Sequence, residues 1–320
     1  MPRTEDTGWR RLLRPVLRRT ARVLLAAPLV ALLVVAVRGA GWLQPLELAF
    51  HDAALRHHAA APEDRRIALV IATEEDIERF GWPLPDGVLA TLIERLLGAG
   101  AEVVAMDLYR DRPVGEGGEA LAALLTREDR ILWAYRLGDA GHRGIPPPAP
   151  LRGTGRAAFA DVVADAGEVV RRSLIAAEDP SDGRVAFSLG AALAMRLAGE
   201  RPRPAGAGLA FGRGVLRILD EPFGPYARLD AAGYQLLLTY RGGFPRVSVA
   251  EAMDAPPALL AGRGVVVGMD SLSVRDSFTT PLTTGLARGT PLPGAAIHAH
   301  TAAQMLRVAA GAAGAPEPPP

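Results

Sequence analysis

The chain has 320 residues, 49% of them hydrophobic, with 36 basic against 35 acidic side chains and a net charge of +1. That length suffices for one large domain or two small ones, and the charge balance gives no reason to expect nucleic-acid binding. With no cysteine, a disulfide framework, a thiolate metal site and a cysteine nucleophile are all excluded.

The first 22 residues are basic: Arg10, Arg11, Arg14, Arg18, Arg19 and Arg22 precede an apolar run from Val23 to Val37. That run is about 15 residues, short of the ~20 that cross a bilayer, but continuing to Leu43 makes it about 21. Arg38 near its end can snorkel, and Trp42 suits an interface. Residues 23–43 therefore read as one transmembrane helix, with 1–22 cytoplasmic and the rest outside. A cleaved signal peptide fits less well, because a cut after Ala40 would put Arg38 at the −3 place. The flanking arginines argue against a buried core helix.

Residues 44–58 read as a helix continuing out of the membrane, and Pro45 fits a first turn. His57-His58 sits at its end, where a solvated helix terminus is the expected reading over a metal pair. Ile67–Ala72 is a continuous apolar run, as in a strand covered on both faces. Thr73 with Glu74-Glu75-Asp76 resembles a helix cap and acidic first turn. Trp82-Pro83-Leu84-Pro85 is a rigid turn. Asp86 is expected to cap a helix whose Leu89, Leu92, Ile93, Leu96 and Leu97 share one face. Glu102–Met106 is the next buried strand, ending at Asp107, and the short connection predicts that it is parallel to the first.

Further along, the spacing predicts a short helix over 119–125 and a strand over 131–135. Candidate strands over 159–163 and 169–177 flank the turn Asp165-Ala166-Gly167-Glu168. A helix is expected over 187–197, a loop over 199–214, and a strand over 235–240. Ser248-x-x-Glu251 is a capping box opening a short helix, which Pro256-Pro257 ends. Gly264–Met269 is a buried strand ending at Asp270, and a helix opens at Pro293-Gly294. The fold class is α/β, a mainly parallel or mixed sheet with helices on both faces, preceded by one transmembrane helix.

The chemistry-bearing candidates are Asp107, Asp270, Asp276 and His298, with Glu74-Glu75-Asp76 beside them. The acids follow strands, so the sheet edge where open α/β folds bind ligands can gather them. Several carboxylates there suit Mg²⁺ or a cationic ligand, and they suit turns and caps equally. His298 and His300 stand about 200° apart on a helix, so they cannot readily share one ion. A buried, hydrogen-bonded imidazole joining the helix to the Asp270–Asp276 loop is the expected role of His298. No nucleophile elbow, zinc-protease motif or dinucleotide fingerprint occurs. No catalytic residue, metal ligand or cofactor is assigned.

Two blocks carry a resemblance to a known family. One is Ile67-Ala68-Leu69-Val70-Ile71, Trp82-Pro83, Gly100-Ala101 and Val103-Val104-Ala105-Met106-Asp107. The other is Gly264-Val265-Val266-Val267-Gly268, Asp276, Thr280-Pro281-Leu282, Pro293-Gly294 and Ile297-His298-Ala299. Together they resemble the second class of CHASE sensor domains, extracytoplasmic modules ahead of bacterial cyclases and sensor kinases. Ala296 stands where that family often has Glu, and His300 where it often has Asn.

The resemblance implies an inner-membrane, single-pass protein with a sensor domain over 44–308 and a Pro/Gly/Ala-rich tail over 309–320. It implies a small-molecule or envelope ligand, a homodimer, and a cyclase or kinase output that the sequence as given does not contain. The alternative is a membrane-anchored metal-dependent hydrolase using the strand-end carboxylates.

Overall fold

A computed structural model describes residues 26–311, apart from 59, 140, 221, 222, 228, 257 and 285–288. The basic stretch 1–22, the first apolar residues 23–25, Pro257 and most of the tail 309–320 lie outside the described residues. So does the side chain of His58. The chain divides into two compact units, Met1–Phe50 with Glu221–Asp230, and His51–Asp220 with Ala231–Pro320.

In the smaller unit, helix α1 spans Ala26–Gly39, and Leu29, Val30 and Leu32–Val35 are exposed on it. The helix stops sooner than the expected end at Leu43. Gly41 takes a left-handed φ of 81°, its N–H bonds the Arg38 carbonyl at 2.8 Å, and a new helix, α2, starts as Gln44–His58. Glycine reaches that conformation without the steric penalty other residues meet. Arg38 donates to Glu47 Oε1 at 2.8 Å and to the Gly224 carbonyl at 2.9 Å, which holds the corner. No single helix is long and apolar enough to cross a membrane among the described residues. The pair α1 and α2, bent by 82°, passes together on length and composition.

The larger unit runs in chain order through β1 (Ile67–Ala72), α3 (Glu74–Phe80), α4 (Asp86–Gly98), β2 (Val103–Met106), α5 (Gly118–Arg127), β3 (Ile131–Tyr135) and β4 (Ala157–Phe159). Next come β5 (Arg172–Glu178), β6 (Val185–Phe187), α6 (Leu189–Ala198), β7 (Arg203–Ala205), β8 (Gly208–Phe211), β9 (Gly214–Arg217) and β10 (Tyr234–Leu237). It closes with β11 (Arg246–Ser248), α7 (Val249–Asp254), β12 (Gly264–Met269), β13 (Ser277–Phe278), β14 (Leu292–Pro293) and α8 (Gly294–Ala309).

The main sheet has the order β11-β1-β12-β2-β3-β4, and every pairing in it is parallel. All residues of β1, β2 and β12 are buried. Alternation along each strand divides them between two cores. Ile67, Leu69 and Ile71 pack with α6 and α8, while Ala68, Val70 and Ala72 pack with α4, α5 and α7. Both faces of the sheet are thus covered, as a continuous apolar strand demands. Helix α8 lies very close to its neighbours. A Cβ on Gly268 of β12 would sit 2.5 Å from Ala295 Cβ, and one on Gly190 of α6 would sit 2.5 Å from the His298 carbonyl.

Three local expectations need correction. Residues 199–214 are not a plain loop: β7, β8 and β9 form an antiparallel sheet. Left-handed glycines at Gly206 and Gly212 make its turns, and Leu209, Phe211 and Leu216 are its buried residues. Asp86 does not cap α4, whose cap position is Pro85; its carboxylate instead accepts from Val114 N at 3.1 Å. The strand expected over 159–163 is β4, which ends at Phe159 and so frees Asp161 from the sheet. The Ser248 capping box forms as read.

Candidate functional site

The carboxyl ends of the parallel strands bring some of the predicted acids together and employ others elsewhere. Asp76 belongs to structure. It completes a capping box with Thr73 at the start of α3, and accepts from Val249 N at 3.3 Å and Ala250 N at 2.7 Å at the start of α7. One buried carboxylate therefore serves two helix N-termini, where orphan N–H groups and the helix dipole favour it. Glu74 accepts from the backbone and hydroxyl of Ser273. Asp270 follows β12 and accepts from Arg246 Nη2 at 2.9 Å.

Asp107, Asp276 and His298 do meet. Asp107 follows β2, and its N–H bonds the Val267 carbonyl at 2.8 Å. Asp276 precedes β13, and its carbonyl accepts from Gly294 N at 3.0 Å. A Cβ built on Gly294 would lie 2.8 Å and 3.0 Å from the two Asp276 carboxylate oxygens and 3.2 Å from Asp107 Oδ2. The two carboxyl groups thus face the same bare backbone at the start of α8. His298, one turn on, places Nε2 3.6 Å from Asp107 Oδ1, with its side chain 5% exposed. That distance is longer than a hydrogen bond. Among the described residues the imidazole makes no hydrogen bond to the Asp270–Asp276 loop, which was its expected role; Asp276 acts on it through charge.

The electrostatics follow from burial without cationic partners. Burial pushes the Asp107 carboxyl up to about 7. Burial and then the Asp107 charge push Asp276 up to about 7. Two close carboxyls in a poorly hydrated place cannot both ionise cheaply. Burial pushes His298 down to about 4 against the pull of Asp276 and Asp161. Asp161, missed by the sequence reading, is raised by burial even though its Oδ2 accepts from Leu137 N at 2.9 Å.

A cleft lined by Asp161, Ser173, Ser188 and His298 adjoins the cluster, with room for about one water. Among the described residues no group of three or more His, Asp or Glu could hold a metal ion. His300 points away from the cluster, edge-on to the Tyr240 ring at 5.0 Å and the Phe244 ring at 4.8 Å.

A second buried polar network, within the larger unit, involves the part of α2 from His51 onward. Arg171 donates Nε and Nη2 to the two oxygens of Asp52, each at 2.8 Å, and Nη1 to Asp165 Oδ2 at 3.0 Å. Arg172 donates to Asp165 Oδ1 at 2.9 Å. Thr284 donates to Asp52 Oδ2 at 3.1 Å, and Arg56 donates to the Pro281 carbonyl at 2.7 Å. Burial alone would raise Asp52, but His51 and Arg171 hold it down at about 2. The adjacent arginines beside an apolar strand were the available signal, since buried cations require anions.

A family model for the CHASE2 domain matches residues 29–319. No curated protein matches the chain, and no solved structure does.

Proposed function

Because the chain belongs to the CHASE2 domain family, a family of sensory extracellular domains, we propose that it is the input module of a membrane-anchored bacterial signalling protein. The observation that carries this is the family match over 29–319, which spans nearly every described residue. The exposed apolar side chains of α1 and the arginines before it support a single anchor in the inner membrane. They also favour a cytoplasmic N-terminus and an outer domain beginning near Gln44.

In this reading Asp107, Asp276 and His298 form the switch, Asp270 biases it through its charge, and α8 is the element they control. The module performs no turnover itself. It works as a homodimer and passes its state to a cyclase or kinase output. A ligand moves such an equilibrium only by favouring one arrangement over the other. The segment from Asp276 to Thr284 suits transmission, since it touches Gly294 at one end and Asp52 of α2 at the other.

The topology is tested by fusing a reporter that works only in the cytoplasm after Pro320. A silent reporter with a stable fusion is expected, and an active one reverses the orientation.

A further inference from the structure

We propose that the module's ligand is the proton, held between Asp107 and Asp276 at the first turn of α8. The consequence for signalling rests on the input-module reading above, but the proton site does not.

The space argues first. Both carboxyl groups face the bare backbone of Gly294, where an added methyl carbon would sit 2.8 Å from Asp276 Oδ2 and 3.2 Å from Asp107 Oδ2. The neighbouring cleft admits about one water. That cleft is too small for an organic ligand. A proton needs no room.

The surrounding charges argue second. From α8 the pair faces His298, which is buried and 3.6 Å from Asp107. From the segment after β2 comes Tyr109, 45% exposed as a residue, whose phenol is raised by partial desolvation and by the charges of Asp161 and Asp107. From the end of β4 comes Asp161, also raised by burial. The turn after β12 brings Asp270, already paired with Arg246. Arg136, at the end of β3, acts on Asp161 and Tyr109. Among the described residues, no arginine forms an ion pair or hydrogen bond with either Asp107 or Asp276. Two half-buried carboxyls set against the same bare backbone share one proton, as neighbouring acids do.

On alkalinisation the shared proton leaves to water and two carboxylates remain side by side. Asp276 then has reason to move, and its backbone holds Gly294 N. Release therefore loosens the start of α8 and displaces the segment that ends on Asp52 and Arg56 of α2.

The test is infrared difference spectroscopy on the full chain in detergent, from about pH 5 to about pH 9, with hydrogen exchange on the same samples. The wild type should show a protonated-carboxyl C=O band below neutrality that disappears above it. In Asp107→Asn the remaining band should move to lower pH, because Asp276 no longer faces a second carboxylate. The Asp107→Asn/Asp276→Asn double variant should lack it. Absence of the band in the wild type overturns the proposal whether or not the variants fold. So does its survival in a folded double variant. Faster exchange at Ile297–Val308 above the transition supports the link to α8. A titrating band with unchanged α8 exchange leaves the proton site standing and overturns the input-module switch.

Discussion

At Gly294 the requirement is space. An alanine there would bring its methyl carbon within 2.8 Å of Asp276 Oδ2 and 3.2 Å of Asp107 Oδ2. Gly294→Ala should destabilise the protein by about 1–3 kcal/mol, the usual cost of overpacking. Gly98, the last residue of α4, has nothing within 4 Å of an added Cβ, so Gly98→Ala should stabilise by roughly 0.5–1 kcal/mol through lower unfolded-state entropy. Urea midpoints of the two variants check this, and equal shifts would mean that the carboxyls yield freely. Asp107, Asp276 and His298 were legible because residues after buried strands and at a helix opening converge on one sheet edge. Asp161 was not, because an apolar stretch does not show where pairing stops. Gly294 was read as a helix opener, and only packing reveals the two carboxyls against it.

At the scale of elements, α2 is fastened by buried ion pairs whose side chains are under a tenth exposed. Arg171→Ala leaves Asp52 and Asp165 buried beside a missing cation, which costs about 3–5 kcal/mol. Arg246→Ala breaks the half-exposed pair with Asp270 and should cost no more than about 1 kcal/mol. Chemical denaturation of both variants tests that contrast. The pH sign also follows. Asp52 is lowered, so its contribution is present above the unfolded value of about 4 and is lost as pH falls through about 2. Acid should therefore speed exchange of the α2 amides before those of β1. Asp107 and Asp276 are raised, so their contribution is present below about 4 and is lost as pH rises through about 7. Strands such as β1 and helices such as α4 were legible because burial on both faces and a single apolar face leave distinct periods. The β7–β8–β9 meander was not, because strands of three or four residues carry too few positions to show alternation.

For the whole molecule the question is catalysis. The chain belongs to a family of sensory domains, and that membership sets the expectation for the whole molecule. The purified chain should show no phosphatase or esterase turnover. Activity that disappeared in both Asp107→Ala and Asp270→Ala, with the fold intact, would put the hydrolase in place of the sensor.

The sequence by itself determined the class of fold, the positions of β1, β2, β12 and α8, and the family, because these depend on local periodicity and ordered short motifs. It also determined the exclusions, since a chain without cysteine has no thiolate chemistry. Tertiary structure decided the rest. It set Asp107 and Asp276 against Gly294 with His298 nearby, while Asp76 received two helix N-termini and Asp270 an arginine. It also joined Asp52 to Arg171 across the chain. The physical reason is that a carboxylate's chemistry depends on how much water and which charges surround it, and those neighbours come from distant parts of the sequence.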